Sequence, residues 1–115
     1  MNADCLFCKI INKTIKADIV YEDDELIAFN DIAPQAPVHI LVVPKLHIPS
    51  LNDLSAGEQD LPDKIFLKIK EIAGSAGISE EGYRVVLNCN RSAGQEVFHI
   101  HFHLLGGRIF KWPPG

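Results

Sequence analysis

Three of the chain's five histidines fall within five residues, in the run His99-Ile100-His101-Phe102-His103-Leu104-Leu105. They alternate strictly with large apolar residues. On a strand, side chains two apart point the same way, with neighbours about 6.6 Å apart. The pattern therefore predicts three imidazoles on one face, with Ile100, Phe102 and Leu104 buried on the other. A strand that needed only a polar outer face would use Thr, Lys or Glu. Two chemistries fit such a row. A His-x-His pair with a third ligand suits a zinc hydrolase centre built on three histidines. Alternatively, a neutral imidazole nitrogen attacks phosphorus, expels the leaving group and is then freed by water. With an unperturbed pKa near 6.5, roughly three-quarters of an imidazole is neutral at pH 7. Crowding three together disfavours charging them all, while one protonated neighbour can steady phosphate charge or protonate a leaving group.

Other residues of chemical interest surround this row. Ala93-Gly94-Gln95-Glu96-Val97 leads into it. Glycine lets backbone N–H groups approach an anion closely, and Gln95 adds a side-chain donor, as a transferring phosphate requires. His39 is the odd residue in an apolar run, expected either as a satisfied core group or beside a site. Cys5 and Cys8 form half of a tetrahedral zinc site. His47 and His99 are candidates for the other half, and two small buried thiols are the competing reading. Cys89 reads as a packing residue.

The elements that position these groups can be read from spacing. Leu6, Phe7, Ile10 and Ile11 predict a short helix over residues 5–12. Residues 19–22 and 26–29 flank Asp23-Asp24 as a hairpin, and the acidic run from Glu22 to Glu25 reads as a solvated turn. Pro34 and Pro37 force an extended loop. Residues 38–43, nearly all apolar and β-branched, predict a strand covered on both faces and stopped by Pro44. Ser55 to Glu58 has capping-box spacing, and Pro62 belongs in a first helical turn. Leu61, Ile65, Ile69, Ile72, Ala73 and Ala76 keep one apolar face of a long helix, which Gly74 weakens and Gly77 ends. Residues 83–88 predict a strand, 89–96 a polar loop and 97–105 the last strand. The expected fold is α+β: a mostly antiparallel five-stranded sheet with one long and one short helix.

Composition bounds the rest. A chain of 115 residues with 47% hydrophobic content is expected to be one domain with a core that needs no disulfide staples. The formal charge of −4 and a pI near 5.6 argue against nucleic acid as a partner, which normally needs a basic face. A mononucleotide makes no such demand. No run approaches the roughly 20 apolar residues of a membrane span, so no membrane partner is expected. The start, Met1-Asn2-Ala3-Asp4, is unlike a secretory signal. Three cysteines cannot all pair, which points to reduced thiols in a cytoplasmic setting.

The run His99 to Leu105 fits His-φ-His-φ-His-φ-φ, with φ apolar, the pattern of the histidine triad family. The likeness continues through Phe7-Cys8-Lys9-Ile10-Ile11, Asp31-Ile32-Ala33-Pro34-Gln35-Ala36-Pro37, Val42-Val43-Pro44-Lys45, Gly94-Gln95, Leu105-Gly106-Gly107-Arg108 and Trp112-Pro113-Pro114-Gly115. The chain resembles the HINT branch, the purine nucleoside phosphoramidases, as a single histidine triad domain over 1–115.

This resemblance implies roles. His101 would be the nucleophile that carries the nucleotidyl group of an AMP-like purine nucleotide. His103 would contact the phosphate, His99 would hold and polarise the row, and His39 would stand behind the nucleophile. Asp31 would bond the ribose, with Phe29 and Ile32 against the base. Asn88, Gly94, Gln95 and the backbone around Val97 would surround the α-phosphate. Family members are homodimers whose sheets join, which makes Trp112 a candidate contact across the dimer. Catalysis would need no cofactor. Some bacterial-type members bind structural zinc through a Cys₂His₂ set, here Cys5, Cys8, His47 and His99. Glu96 departs from the serine of the best-known animal phosphoramidases, leaving the leaving half of the substrate open. A site that binds nucleotide for regulation, without turnover, is the non-catalytic alternative.

Overall fold

The computed structural model describes residues 2–115. Helix α1 (Leu6–Ile11) is capped by Cys5, whose thiol accepts the N–H of Cys8. Strands β1 (Ile19–Glu22) and β2 (Leu26–Asn30) form the predicted hairpin. Its turn is closed by Asp23, whose Oδ1 accepts the N–H groups of Glu25 and Leu26 at 2.7 and 2.8 Å. Strand β3 (Val38–Pro44), helix α2 (Leu61–Ser75), β4 (Tyr83–Val86) and β5 (Phe102–Gly106) follow. The five strands lie in the order β1-β2-β3-β5-β4, every pair antiparallel.

The period of two along each strand divides the core. Ala28, Ile40, Val42, Phe102 and Leu104 face α2 and pack on Ile65, Ile69, Ile72 and Ala73. Ile27, Phe29, Leu41 and Val43 face the other way, onto Phe7, Cys8, Ile10 and Ile11 of α1. Strand β3 is thus buried on both sides, as its apolar run predicts. Pro62 sits in the first turn of α2, and Gly77, at φ +76°, follows its end.

Three expectations are corrected. Ser55 to Glu58 does not cap the long helix. It forms a separate 3-10 turn, with the Ser55 hydroxyl bonded to the Glu58 carboxylate rather than to backbone. The capping box is instead Ser50 with Asp53, where each side chain accepts a backbone N–H. The strand expected over 83–88 ends at Val86. The last strand begins at Phe102, not at residue 97. Continuing the β3–β5 register would place Pro44 opposite Ile100, and proline has no N–H to extend the ladder. The Ile100 N–H turns to the carbonyl of Ile48 instead, at 2.6 Å.

Candidate active site

His101 stands one residue before β5, with 7% of its surface exposed. Its Nδ1 lies 2.8 Å from the main-chain oxygen of His99. A carbonyl can only accept, so the ring proton is on Nδ1 and the lone pair is on Nε2. Phe7 and this ring meet edge to face, their centroids 4.9 Å apart.

A second chain of bonds fixes the neighbouring ring. The Gln35 N–H donates to Nδ1 of His39 at 3.0 Å, which places the His39 proton on Nε2. That Nε2–H donates to Nδ1 of His103 at 2.9 Å, so neutral His103 carries its proton on Nε2. The rings of His101 and His103 are 5.1 Å apart. One therefore keeps a free Nε2 lone pair, the other an Nε2–H. Burial lowers the pKa of His101 and, together with His101 and His39, brings that of His103 to about 4. Burial also lowers His39, against the pull of Asp31. His39 thus backs His103 and not, as expected, the nucleophile.

His99 is fully buried and leaves the row. The chain bends over residues 97–99 before the strand begins, and the ring turns toward α1. Its Nε2–H donates to the Pro44 carbonyl at 2.7 Å. Its Nδ1 faces Cys5 Sγ at 3.4 Å, Cys8 Sγ at 3.6 Å and His47 Nδ1 at 3.1 Å. Burial, reinforced by His47 and His101 against the Pro44 carbonyl, brings its pKa to about 4. The three triad rings do not converge, because His101 spends Nδ1 on a carbonyl and His103 spends Nδ1 on His39. A metal centre of three histidines is not formed.

Metal-ligating geometry lies elsewhere. The donor atoms of Cys5, Cys8, His47 and His99 all fall within 4.8 Å of one another, with Cys8 Sγ 3.4 Å from His47 Nδ1. A tetrahedral zinc with bonds of about 2.0–2.3 Å has ligand–ligand edges of about 3.3–3.8 Å. The contacts of 3.1–3.6 Å among these atoms match that closely. The Pro44 carbonyl fixes the His99 tautomer with Nδ1 free to ligate, as an outer partner of a metal site does. Asp31, His39 and His103 also cluster. There, however, Nε2 of His39 carries a proton, so that group is a hydrogen-bond relay.

The remaining candidates are placed unequally. Asp31 accepts the Ala33 N–H at 2.8 Å and lies 3.4 Å from His39 Nε2. Ile32 is fully exposed beside it, whereas Phe29 is 4% exposed and packs edge-on against Phe7. Phe29 therefore offers a base little surface, contrary to expectation. Gln95 is also corrected. Its amide donates to Pro49 O and Val97 O and accepts from Asn90 N–H, at 2.7, 3.1 and 2.7 Å, leaving nothing for a phosphate. Its own N–H and that of Gly94 bond back into the loop. Gly94, at φ +95°, lies against half-buried Asn88. Among the described residues, the N–H groups of Glu96 and Val97 have no internal partner. Glu96 is exposed, Val97 packs toward α1, and Trp112 is 83% exposed. Phe7, Gln35 and the Pro44 carbonyl belong to the site although their residue types gave no sign of it.

The HIT domain model matches residues 12–109. The purine nucleoside phosphoramidase of Escherichia coli K12 is 50% identical over 108 residues, covering 94% of this chain and 91% of that protein. An uncharacterised HIT-like protein of Synechococcus elongatus is 53% identical over the full length of both. The crystal structure of a HIT family hydrolase from Legionella pneumophila superposes with a TM-score of 0.96 at 51% identity, covering 97% of this chain and 100% of that one. A histidine triad protein from Clostridium difficile gives 0.93 at 47%, covering 96% of each chain.

Proposed function

The chain belongs to the HIT family and is a hydrolase of that family, and from that premise we propose that it cleaves purine nucleoside 5′-phosphoramidates, or related AMP-X compounds, through a nucleotide carried on His101. The observation that carries this reading is the set of hydrogen bonds that gives two adjacent rings opposite tautomers. The Nε2 lone pair of His101 attacks the α-phosphorus and forms a P–N bond. The bond to the leaving amine breaks, and the amine keeps the electron pair and takes a proton from water. His101 becomes cationic while it carries the nucleotide, and its Nδ1–H on the His99 carbonyl, 2.8 Å away, is then a charge-assisted bond. His103 Nε2–H and the free N–H groups of Glu96 and Val97 donate to the phosphate oxygens. Water then attacks phosphorus, its proton passing to the hydroxide left by the first step; the P–N bond breaks, AMP leaves, and Nε2 regains its lone pair.

Asp31 and exposed Ile32 would hold ribose and base, with Asn88 and Gly94 beside the phosphate. Gln95 acts by shaping the loop. Zinc would be held by Cys5, Cys8, His47 and His99, all four ligands coming from protein, and would supply cohesion between α1 and the segment before β5. A homodimer formed along the free edge of β4 would carry Trp112 to the partner's site. Its support is the end position of β4 in the sheet and the exposure of Trp112. Cytoplasmic residence is supported by three unpaired thiols. No helix among the described residues is long and apolar enough to cross a membrane.

The test is incubation with adenosine 5′-phosphoramidate and a rapid denaturing quench. The quench is kept alkaline because a phosphorus–imidazole bond is acid-labile. Mass spectrometry should find an added nucleotidyl mass on the His101 peptide. No adduct, and no hydrolysis of several phosphoramidates, would leave AMP binding without turnover as the surviving reading.

A further inference from the structure

Taking zinc at Cys5, Cys8, His47 and His99 as proposed above, we infer that His99 makes the orientation of the nucleophile depend on that metal site. His99 is a positioning residue with three polar atoms committed in three directions. Its Nε2–H is held by Pro44 O at 2.7 Å, its Nδ1 lies among the donor atoms of His47, Cys5 and Cys8, and its carbonyl accepts the Nδ1–H of His101 at 2.8 Å. That carbonyl decides which nitrogen of His101 keeps a lone pair.

The backbone that carries the carbonyl has little else to hold it. Strand β5 starts only at Phe102, and Pro44 offers Ile100 no N–H. The nearest main-chain anchor is the Ile100 N–H on Ile48 O, at 2.6 Å. A ring pinned at both nitrogens therefore fixes a segment that the sheet does not. Once the metal is removed, four donor atoms within 4.8 Å of one another would repel unless protons intervened. The His99 ring then has reason to move and take the carbonyl with it. Asp31 stands apart from this effect, its N–H bonded to His39 O at 2.9 Å at the edge of the β2–β3 ladder, and the loop that carries the Glu96 and Val97 N–H groups is held separately, by the Gln95 amide on Val97 O at 3.1 Å. Loss of metal should therefore lower kcat and leave KM alone.

The experiment uses the full chain loaded with zinc and counted by atomic spectrometry, the same protein stripped by a chelator, and His47→Asn. Long-range nitrogen–proton NMR at one fixed pH reads the His101 tautomer. Steady-state kinetics on adenosine 5′-phosphoramidate and far-UV circular dichroism accompany it. The loaded protein should show the Nδ1–H form alone. The stripped protein and His47→Asn should show both tautomers and a kcat lower by up to about 100-fold, the scale on which misplacing a reacting group by about 1 Å costs rate. KM should be unchanged, and returned zinc should restore the stripped form. A folded, stripped protein with the tautomer and kcat intact overturns the coupling. Should chelation unfold the chain, a folded His47→Asn with the tautomer intact overturns it equally. Unfolding of both also overturns it, because the site would then hold the fold rather than the nucleophile. A chain that takes up no zinc fails the metal assignment first, visible in the metal count. A chain that turns over no phosphoramidate fails the phosphoramidase reading, while the tautomer is still read.

Discussion

The Nδ1–H of His101 donates to the main-chain oxygen of His99 at 2.8 Å, so the histidine two residues upstream acts on its neighbour through backbone while its own ring faces away. His103, 5.1 Å from His101 between ring centres, has the opposite tautomer. The two rings are therefore unequal partners, and their replacement should be unequal. His101→Ala removes the attacking atom and should abolish both the nucleotidyl adduct and turnover. His103→Ala removes one donor to phosphate, a loss of about 10²–10³ in kcat, and should still form the adduct slowly. Rapid-quench mass spectrometry on both variants distinguishes these outcomes. Equal damage with no adduct in either would contradict the assignment.

Gln95 tests a structural role against a catalytic one. Buried, it satisfies Asn90 N–H, Pro49 O and Val97 O. Gln95→Ala strands these groups, each at a cost of about 1–3 kcal/mol where water cannot reach. The midpoint of chemical denaturation should fall by the equivalent of about 2–3 kcal/mol. Gln95→Glu should fall as well, since a carboxylate cannot donate to the two carbonyls. A variant of unchanged stability with weakened AMP binding would return Gln95 to the phosphate.

Strand periodicity made much of this molecule readable. The alternation in the histidine run set Ile100, Phe102 and Leu104 on a buried face, and the unbroken apolar run of β3 announced a strand covered on both sides, while Pro62 and Gly77 marked the ends of α2. The direction of His99 was hidden because it depends on Pro44, 55 residues away. Only the strand register reveals that a proline would face Ile100 and end the ladder. Gln95 was misread for a local reason. A glutamine beside a loop glycine looks the same whether its amide faces a ligand or its own loop. Ser50 and Ser55 each precede an acidic residue by three positions, and local spacing alone does not choose between two such boxes.

Gly106 is required by packing, not by dihedral freedom. A Cβ there would stand 2.7 Å from Ile78 Cδ1 and 3.0 Å from Ile78 Cβ, nearer than real side chains come. Ile78 is buried beneath the sheet and its Cβ cannot swing aside as a side-chain tip would. Gly106→Ala should therefore destabilise by about 1–3 kcal/mol, the usual cost of overpacking. Adding Ile78→Ala should make the second substitution cheaper than it is in the native background. Thermal melts of the four proteins of that cycle give the coupling, and simple additivity would show that the contact is not the cause.

The histidine relay also sets a pH dependence of stability. Burial, with His101 and His39 close by, brings His103 to about 4, and burial lowers His39, against an unfolded value near 6.5. Between these values the unfolded chain binds protons that the folded chain refuses. Stability therefore rises with pH across that interval and is lost on acidification from about 6.5 toward 4. Above about 6.5 both states are neutral at these rings, and the relay contributes no slope. His103→Asn should flatten the dependence by about one proton, since an amide does not titrate. The comparison with the native chain isolates this ring from the acid release of any metal at Cys5, Cys8, His47 and His99, which is common to both. Denaturant midpoints at closely spaced pH values measure it. A His103→Asn curve parallel to the native one between pH 6.5 and 4 would mean that His103 charges freely in the folded state, and that its Nδ1 is not tied to His39 as described.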